Sequence, residues 1–340
     1  MAAVKLTTLG QVPAPLYDAP VTSLADTLGG PTLIHLPGRH ARPLFVSVLL
    51  HGNEVSGWHA IQQLLRKYRN AVLPRALSIL IGNVAAARHD LRRLEGQPDY
   101  NRVWPGGPAT DSAESAIMAE VVAQMRARSV FASIDVHNNT GLNPHYACVN
   151  RLDQPFLRLA TLFSRIVVYF TEPAGVQSAA FAPLCPAVTV ECGKPGSPGS
   201  AAHAAEFIDA VLHLAEFPQH DLAAHDVDLY HTVATVNIPD EVTISFDGSP
   251  ADLEFVTDLD HLNFRELAPG APLARVRVGC QTPVAVPDGN GGNRWREFLA
   301  LRDGWLVCTR ALMPSMLTRD ARVVRQDCLC YLMERLAPPR

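Results

Sequence analysis

Charge is scarce in this chain of 340 residues: Asp, Glu, Lys and Arg make up 18% of it, and the formal net charge is −4. No stretch is dense in Lys and Arg, so a surface that tracks nucleic-acid phosphates is not expected. The seven cysteines (Cys148, Cys185, Cys192, Cys280, Cys308, Cys328 and Cys330) are odd in number, scattered, and without a C-x-x-C pair. That excludes a disulfide framework and suits a reducing compartment. The amino terminus, MAAVKLTTLGQVPAPLYD, lacks the basic start and apolar core of a secretory signal. Apolar runs such as residues 43–50 are strand-sized and fall short of a membrane span. Internal repeats and low-complexity tracts are also missing. Together these absences lead us to expect a soluble cytoplasmic protein with neither a nucleic-acid nor a membrane partner. They leave self-association into a homo-oligomer open.

Apolar residues are plentiful, at 48%, enough for a sizeable core in a chain whose length suits two domains. Residues 44–50 (LFVSVLL) read as a strand buried on both faces, followed by a helix over 57–68 with Ile61, Leu64, Leu65 and Tyr68 at helical spacing. Strands at 76–84, 130–137, 166–170 and 187–192 alternate with helices at 111–128, 156–163 and 201–217. Asp111 or Ser112 is the expected cap of the helix at 111–128. This alternation predicts an α/β layer with a mixed, mainly parallel sheet flanked by helices. Beyond residue 230 the pattern changes to short strand-like segments at 232–238, 242–244, 273–278, 282–286 and 305–309. The expected division is a catalytic domain over 1–225 and a smaller C-terminal β-rich domain over 226–340, with the boundary within 218–232.

Three of the predicted strands end in residues that can carry chemistry. His51-Gly52-Asn53-Glu54 follows the first, at the edge where open α/β sheets bind ligands. A His and a Glu three apart in a strand–helix turn can face one ion, and both are normal zinc ligands. Taken alone the motif reads sooner as a surface turn, with Asn53 capping the helix and Glu54 in its first turn. A second strand ends at His137, with Asp135 two residues earlier on the same face, placed to fix the imidazole tautomer. A third ends at Glu191, a carboxylate in an otherwise apolar strand and a candidate general base. The joint occurrence points to a His₂Glu zinc site with an open fourth position, the pattern of a catalytic centre. Arg88, Arg92, Arg93 and Arg102 cluster in the stretch 83–106, and Arg suits capture of a substrate carboxylate. Cys192 falls on the opposite face from Glu191 and is read as packing. Asp258, Asp260 and His261 are read as a solvated turn.

With these residues in hand, the chain resembles the succinylglutamate desuccinylase / aspartoacylase family of the zinc carboxypeptidase-like superfamily. The first zinc motif of that family is similar to His51-Gly52-Asn53-Glu54-Val55-Ser56-Gly57, its D-x-H motif to Asp135-Val136-His137, and its catalytic Glu to Glu191-Cys192-Gly193. Its D-x-N-R motif is similar to Asp99-Tyr100-Asn101-Arg102. The resemblance spans about residues 44–217. It implies a carboxypeptidase-like catalytic domain, one zinc per chain held by His51, Glu54 and His137, and a zinc-activated water with Glu191 as general base. It further implies that Asn101 and Arg102 bind substrate, with Arg102 also assisting catalysis. An upstream Arg, Arg93 in preference to Arg92, would take the amino acid's carboxylate. Asn138 follows the third ligand as in aspartoacylases; beyond it, Asn143-Pro144-His145-Tyr146 reads either as a source of polar substrate contacts, Tyr146 among them, or as a turn followed by a strand. The implied reaction is cleavage of the amide bond in a small N-acyl amino acid. The alternatives are a metallocarboxypeptidase acting on a peptide or cell-wall fragment, and an inactive zinc- or ligand-binding homologue. One departure bears on the substrate. Between Arg165 and Glu191 there is no Lys or Arg, where aspartoacylases carry an Arg for the acyl carboxylate; Gly175 to Phe181 stands there instead, suited to a neutral or differently shaped acyl group.

Overall fold

A computed structural model describes residues 4–108, 111–218, 220–288 and 291–337. The chain divides into two compact units. One comprises Met1–Asn138, His145–Leu229 and Ala337–Arg340; the other comprises Asn139–Pro144 and Tyr230–Leu336.

The first unit carries strands β1 (Thr7–Leu9), β2 (Thr32–Leu36), β3 (Gly38–Val48), β4 (Leu73–Ile81), β5 (Ala132–His137), β6 (Tyr146–Val149), β7 (Ile166–Tyr169) and β8 (Ala187–Glu191). Its helices are α1 (Leu24–Leu28), α2 (Ser56–Lys67), α3 (Val84–Ala87), α4 (Ala113–Ala127), α5 (Gln154–Thr161), α6 (Gln177–Phe181) and α7 (Ser200–His213). The strands stand in the order β1-β2-β4-β3-β5-β8-β6-β7. The central four, β4-β3-β5-β8, run parallel, while β2 and β6 oppose their neighbours β4 and β8. The fold is therefore mixed α/β with a mainly parallel sheet. Leu44 through Leu50 are all essentially inaccessible, as a strand covered on both faces requires. The amino-terminal half of β3, Arg39 to Arg42, is exposed and has no apolar period to announce it. Ser112 caps α4, its Oγ accepting from the Ser115 N–H.

Register assigns the two faces of the sheet. Phe45 pairs with Ser133, and Ser47 with Asp135; Ser133, Asp135 and His137 pair in turn with Ala187, Thr189 and Glu191. Alternation places all of these on one face. Short helix α6 covers that face: Phe181 stacks on Phe45 at 4.6 Å, Gln177 donates to Ser133, and the Thr189 hydroxyl donates to Ser178. Helix α2 packs on the opposite face. A Cβ on Gly57 would lie 2.9 Å from Val48 and 3.0 Å from Val136, so glycine lets the helix approach the sheet this closely.

The second unit is β-rich. It holds β9 (Asp228–Val236), β10 (Ile244–Ser245), β11 (Leu253–Phe255), β12 (Pro272–Val276), β13 (Leu299–Arg302), β14 (Trp305–Cys308), β15 (Met313–Ser315), α8 (Ala321–Gln326) and β16 (Cys330–Arg335). Five strands form a sheet in the order β10-β11-β12-β14-β13, and β16 pairs antiparallel with both β9 and β15. The expected strand at 282–286 does not form. Ala285 makes only an isolated bridge to Asn237, and the flanking Pro283 and Pro287 have no N–H to continue a ladder. Asp260 and His261 fall in the 3-10 turn Leu259–Leu262, with Asp258 as its cap.

Candidate metal centre

The chain leaves β3 through a tight turn. Leu49 takes a left-handed backbone, φ 55°, a conformation that costs roughly 1–2 kcal/mol outside glycine. Its carbonyl accepts the Asn83 N–H at 2.6 Å, and that of Val48 accepts the Gly82 N–H at 3.0 Å, so the end of β4 holds the turn. A Cβ on Gly52 would lie 2.2 Å from the Ala87 nitrogen, and no larger residue fits. This turn brings His51 Nδ1 to 2.7 Å from Glu54 Oε1. From the end of the neighbouring strand, His137 Nδ1 reaches the other carboxylate oxygen, Oε2, at 2.6 Å. His51, Glu54 and His137 are buried, and one ligand atom from each lies within 4.8 Å of the others.

The outward-facing nitrogens are held by carboxylates. Asp99 Oδ1 lies 2.9 Å from His51 Nε2, and Asp135 Oδ2 lies 2.7 Å from His137 Nε2. An ionised carboxylate only accepts, so each Nε2 carries its proton toward Asp99 or Asp135, and each Nδ1 donates a second proton to Glu54, the proton a cation would displace to reach the Nδ1 lone pair. Two imidazole nitrogens and a carboxylate are a zinc donor set. Burial disfavours charge on every member of the group, yet facing charges prevail. For His51, burial and Arg92 depress the imidazole, but Glu54 and Asp99 raise it above its ordinary value. For His137, burial is overcome by Asp135 and Glu54, which lift it well above that value. Glu54 is drawn well below the usual carboxylate range by the two imidazoles, against burial. Asp99 is drawn far down by His51, Arg92 and Arg102, also against burial. Without a metal the site is thus a closed ion-pair network; a cation would replace the Nδ1 protons.

The other expected residues take distinct places. Glu191 pairs in register with His137 on one side and Tyr146 on the other, forming one row across three strand ends. Asn101 lies beside the cluster, its Nδ2 3.1 Å from His137 Nε2 and its Oδ1 accepting the Gln177 N–H. Arg102 is half-buried and donates to the Asn101 carbonyl. Of the adjacent arginines, Arg92 turns inward, 2.9 Å from Asp99 and 3.8 Å from Glu54. Arg93 is exposed and donates to the Gln97 carbonyl. Arg88 pairs with Asp26 at the surface. Asn138 is saturated inside the protein: its Oδ1 accepts the Ser56 N–H, and its Nδ2 donates to Ser56 Oγ and the Gly193 carbonyl. Its backbone N–H reaches Glu54 Oε2 at 3.1 Å. It ties the two ligand-bearing turns together and has no side-chain hydrogen left for a substrate. Cys192 is buried, and that burial, reinforced by Glu191, pushes its thiol far up, which removes nucleophilic character.

Sequence reasoning gave Asp99 no part at His51 and passed over Ser47 and Gln177. Ser47 had a signal: it is the single polar residue in LFVSVLL, and it shares a sheet face with Asp135. Asp99 reaches the site from a loop and Gln177 from the start of the five-residue helix α6, where no periodicity marks them.

Residues 41–217, more than half of the chain, match the model of the succinylglutamate desuccinylase/aspartoacylase catalytic domain. No curated protein sequence matches. Among solved structures, the succinylglutamate desuccinylase of Chromobacterium violaceum is 19% identical, with a TM-score of 0.55 over 89% of this chain and 87% of that one. A succinylglutamate desuccinylase/aspartoacylase from Rhodobacter sphaeroides is 14% identical, with a TM-score of 0.58 over 89% and 88%. Murine aminoacylase 3 is 14% identical, with a TM-score of 0.56 over 88% and 96%. At these identities the likeness is one of fold.

Proposed function

Because the chain belongs to the succinylglutamate desuccinylase/aspartoacylase family, we propose that it is a zinc-dependent deacylase, with one zinc per chain, that cleaves the amide bond of a small N-acyl amino acid. The observation that carries this reading is the meeting of His51, Glu54 and His137 within 4.8 Å, with Glu191 on the adjoining strand as the register partner of His137. Zinc held by His51, Glu54 and His137 would supply a Lewis acid for the scissile carbonyl and lower the pKa of a water so that a base can deprotonate it for attack. Glu191 takes the proton from that water and passes it to the leaving amine. Arg102 meets the charge that develops on the carbonyl oxygen, and Asn101, held by the Gln177 N–H, fixes the substrate beside it. Tyr146, in the same row as Glu191, offers a further polar contact.

The acyl group is neutral in this reading. Residues 166–190 contain neither Lys nor Arg, and the α6 residues Gln177, Ser178 and Phe181 lie over the sheet face that bears Asp135 and His137. A succinyl or aspartyl carboxylate would lack a cation from this stretch. The test is elemental analysis paired with hydrolysis of N-acetyl, N-succinyl and N-aspartyl amino acids and a short peptide, before and after chelation. About one zinc per chain and chelator-sensitive release from the N-acetyl compounds is the expected result. Release of the peptide's C-terminal residue alone would point to a carboxypeptidase, and absence of stoichiometric metal would overturn the reading.

A further inference from the structure

Behind the proposed zinc ligand His137 lies a second hydrogen bond that faces no solvent. Asp135 is wholly buried, and so is Ser47. The Ser47 hydroxyl donates to Asp135 Oδ1 at 2.7 Å, and Asp135 Oδ2 takes the Nε2–H of His137 at 2.7 Å. The two residues are register partners on β3 and β5, so the sheet itself sets their separation. An anion buried this deeply needs donors on both oxygens to remain a good acceptor. Among the described residues, Ser47 is the side chain recorded as donating to Oδ1.

We infer that Ser47 is a positioning residue for the metal centre: its hydroxyl anchors the Asp135 carboxylate, which fixes the tautomer and orientation of His137 and so sets how tightly the site holds its cation. This rests on the zinc-site reading above. Without the hydroxyl, Asp135 is free to rotate toward another donor, and that rotation releases the Nε2–H. His137 then presents Nδ1 less well to a cation. Outer partners of metal-ligating histidines commonly affect affinity by about 10–100-fold. Ser47 is one bond further out, so the lower end is expected.

The experiment is chelator competition for zinc with wild type, Ser47→Ala, Ser47→Thr and Asp135→Asn, read as dissociation constants on the folded proteins. Ser47→Ala should weaken zinc by about tenfold, and Ser47→Thr, which keeps the hydroxyl, should restore most of the affinity. In the Asp135→Asn background the Ser47→Ala effect should shrink to below about twofold, since the hydroxyl acts through Asp135. Imidazole nitrogen NMR supplies a reading that depends on no loss of function: the His137 Nε2–H signal of the wild type should be low-field and slow to exchange, and should move upfield in Ser47→Ala. Unchanged zinc affinity and an unchanged His137 signal in Ser47→Ala would overturn the inference while leaving the zinc site standing. A wild type that binds no zinc would overturn the site reading itself. Should Ser47→Ala not fold, a wild-type His137 Nε2–H in fast exchange would still refute the anchor.

Discussion

Glu191 and His137 are direct register partners on adjacent parallel strands, so their side chains leave the same face of the sheet at the same level. In the proposed reaction a base so placed would act without being needed to hold the metal. Glu191→Gln should therefore retain wild-type zinc content and lose activity by roughly 10²–10⁴-fold. Elemental analysis and initial rates on the same preparation check this. Zinc retained together with substantial turnover would remove Glu191 from the base role.

Arg92 and Arg93 are neighbours in sequence but face different surroundings, and they should behave differently when removed. Arg92 sits between Asp99 and Glu54, whereas Arg93 is exposed. Arg92→Ala should lower kcat/KM by more than about tenfold, while Arg93→Ala stays within about twofold of wild type. The reverse pattern in steady-state kinetics would support Arg93 as the residue that takes the amino acid's carboxylate.

Gly52 has no room for a side chain, since a Cβ would lie 2.2 Å from the Ala87 nitrogen and 2.5 Å from the Ala86 carbonyl carbon. Both are backbone atoms and cannot swing away. Gly52→Ala should destabilise the fold by about 1–3 kcal/mol or more and reduce zinc content, because His51 and Glu54 lie on either side of it. Thermal melting with and without zinc measures both effects.

Asp209 joins helices α2 and α7, accepting from Lys67 Nζ at 2.7 Å and from the Tyr68 hydroxyl at 2.6 Å. Burial would raise its pKa, yet these donors hold it below the ordinary value. A depressed carboxylate stabilises the fold above its unfolded-state pKa, and that contribution is lost as pH falls through the folded-state value. Asp209→Asn should thus be less stable than wild type near neutral pH, with the difference fading below about pH 3–4. Denaturant titrations across that range decide it; a difference independent of pH would exclude the ionic contribution.

The central sheet was legible because its strands are covered on both faces and therefore read as unbroken apolar runs, LFVSVLL above all. Strands β1, β2, β11, β13, β15 and β16 escaped notice, and β6 stood only as an alternative. Thr7–Leu9 has only three residues, His35 interrupts the run in β2, and the others are short runs with mixed residues. The candidate ligands were readable because His51 and His137 each close such a run, where a polar residue stands out, and Glu54 follows His51 by three residues in the turn. The choice between Arg92 and Arg93 was not readable. Both lie in a loop without period, and what turns Arg92 inward is a carboxylate seven residues further along, at Asp99. In the same way, Asn138 carries the right motif, but its hydrogen bonds to Ser56 and Gly193 come from segments 82 and 55 residues away.

The parallel run of β3 and β4 has a practical side. Helix α2 ends at Lys67 and β4 starts at Leu73, so the link over residues 68–72 joins the sheet at the end of β4 opposite to the His51 turn. The nine residues of β4 separate the two by about 25–30 Å, and Val72 in this link is 63% exposed. Insertions at residues 70–72, beyond Tyr68 and its bond to Asp209, leave the ligand turns untouched. The link is accordingly a natural place to splice in an affinity tag, a fluorophore site or a tether to a solid support, leaving the opposite end of the sheet free to meet small molecules.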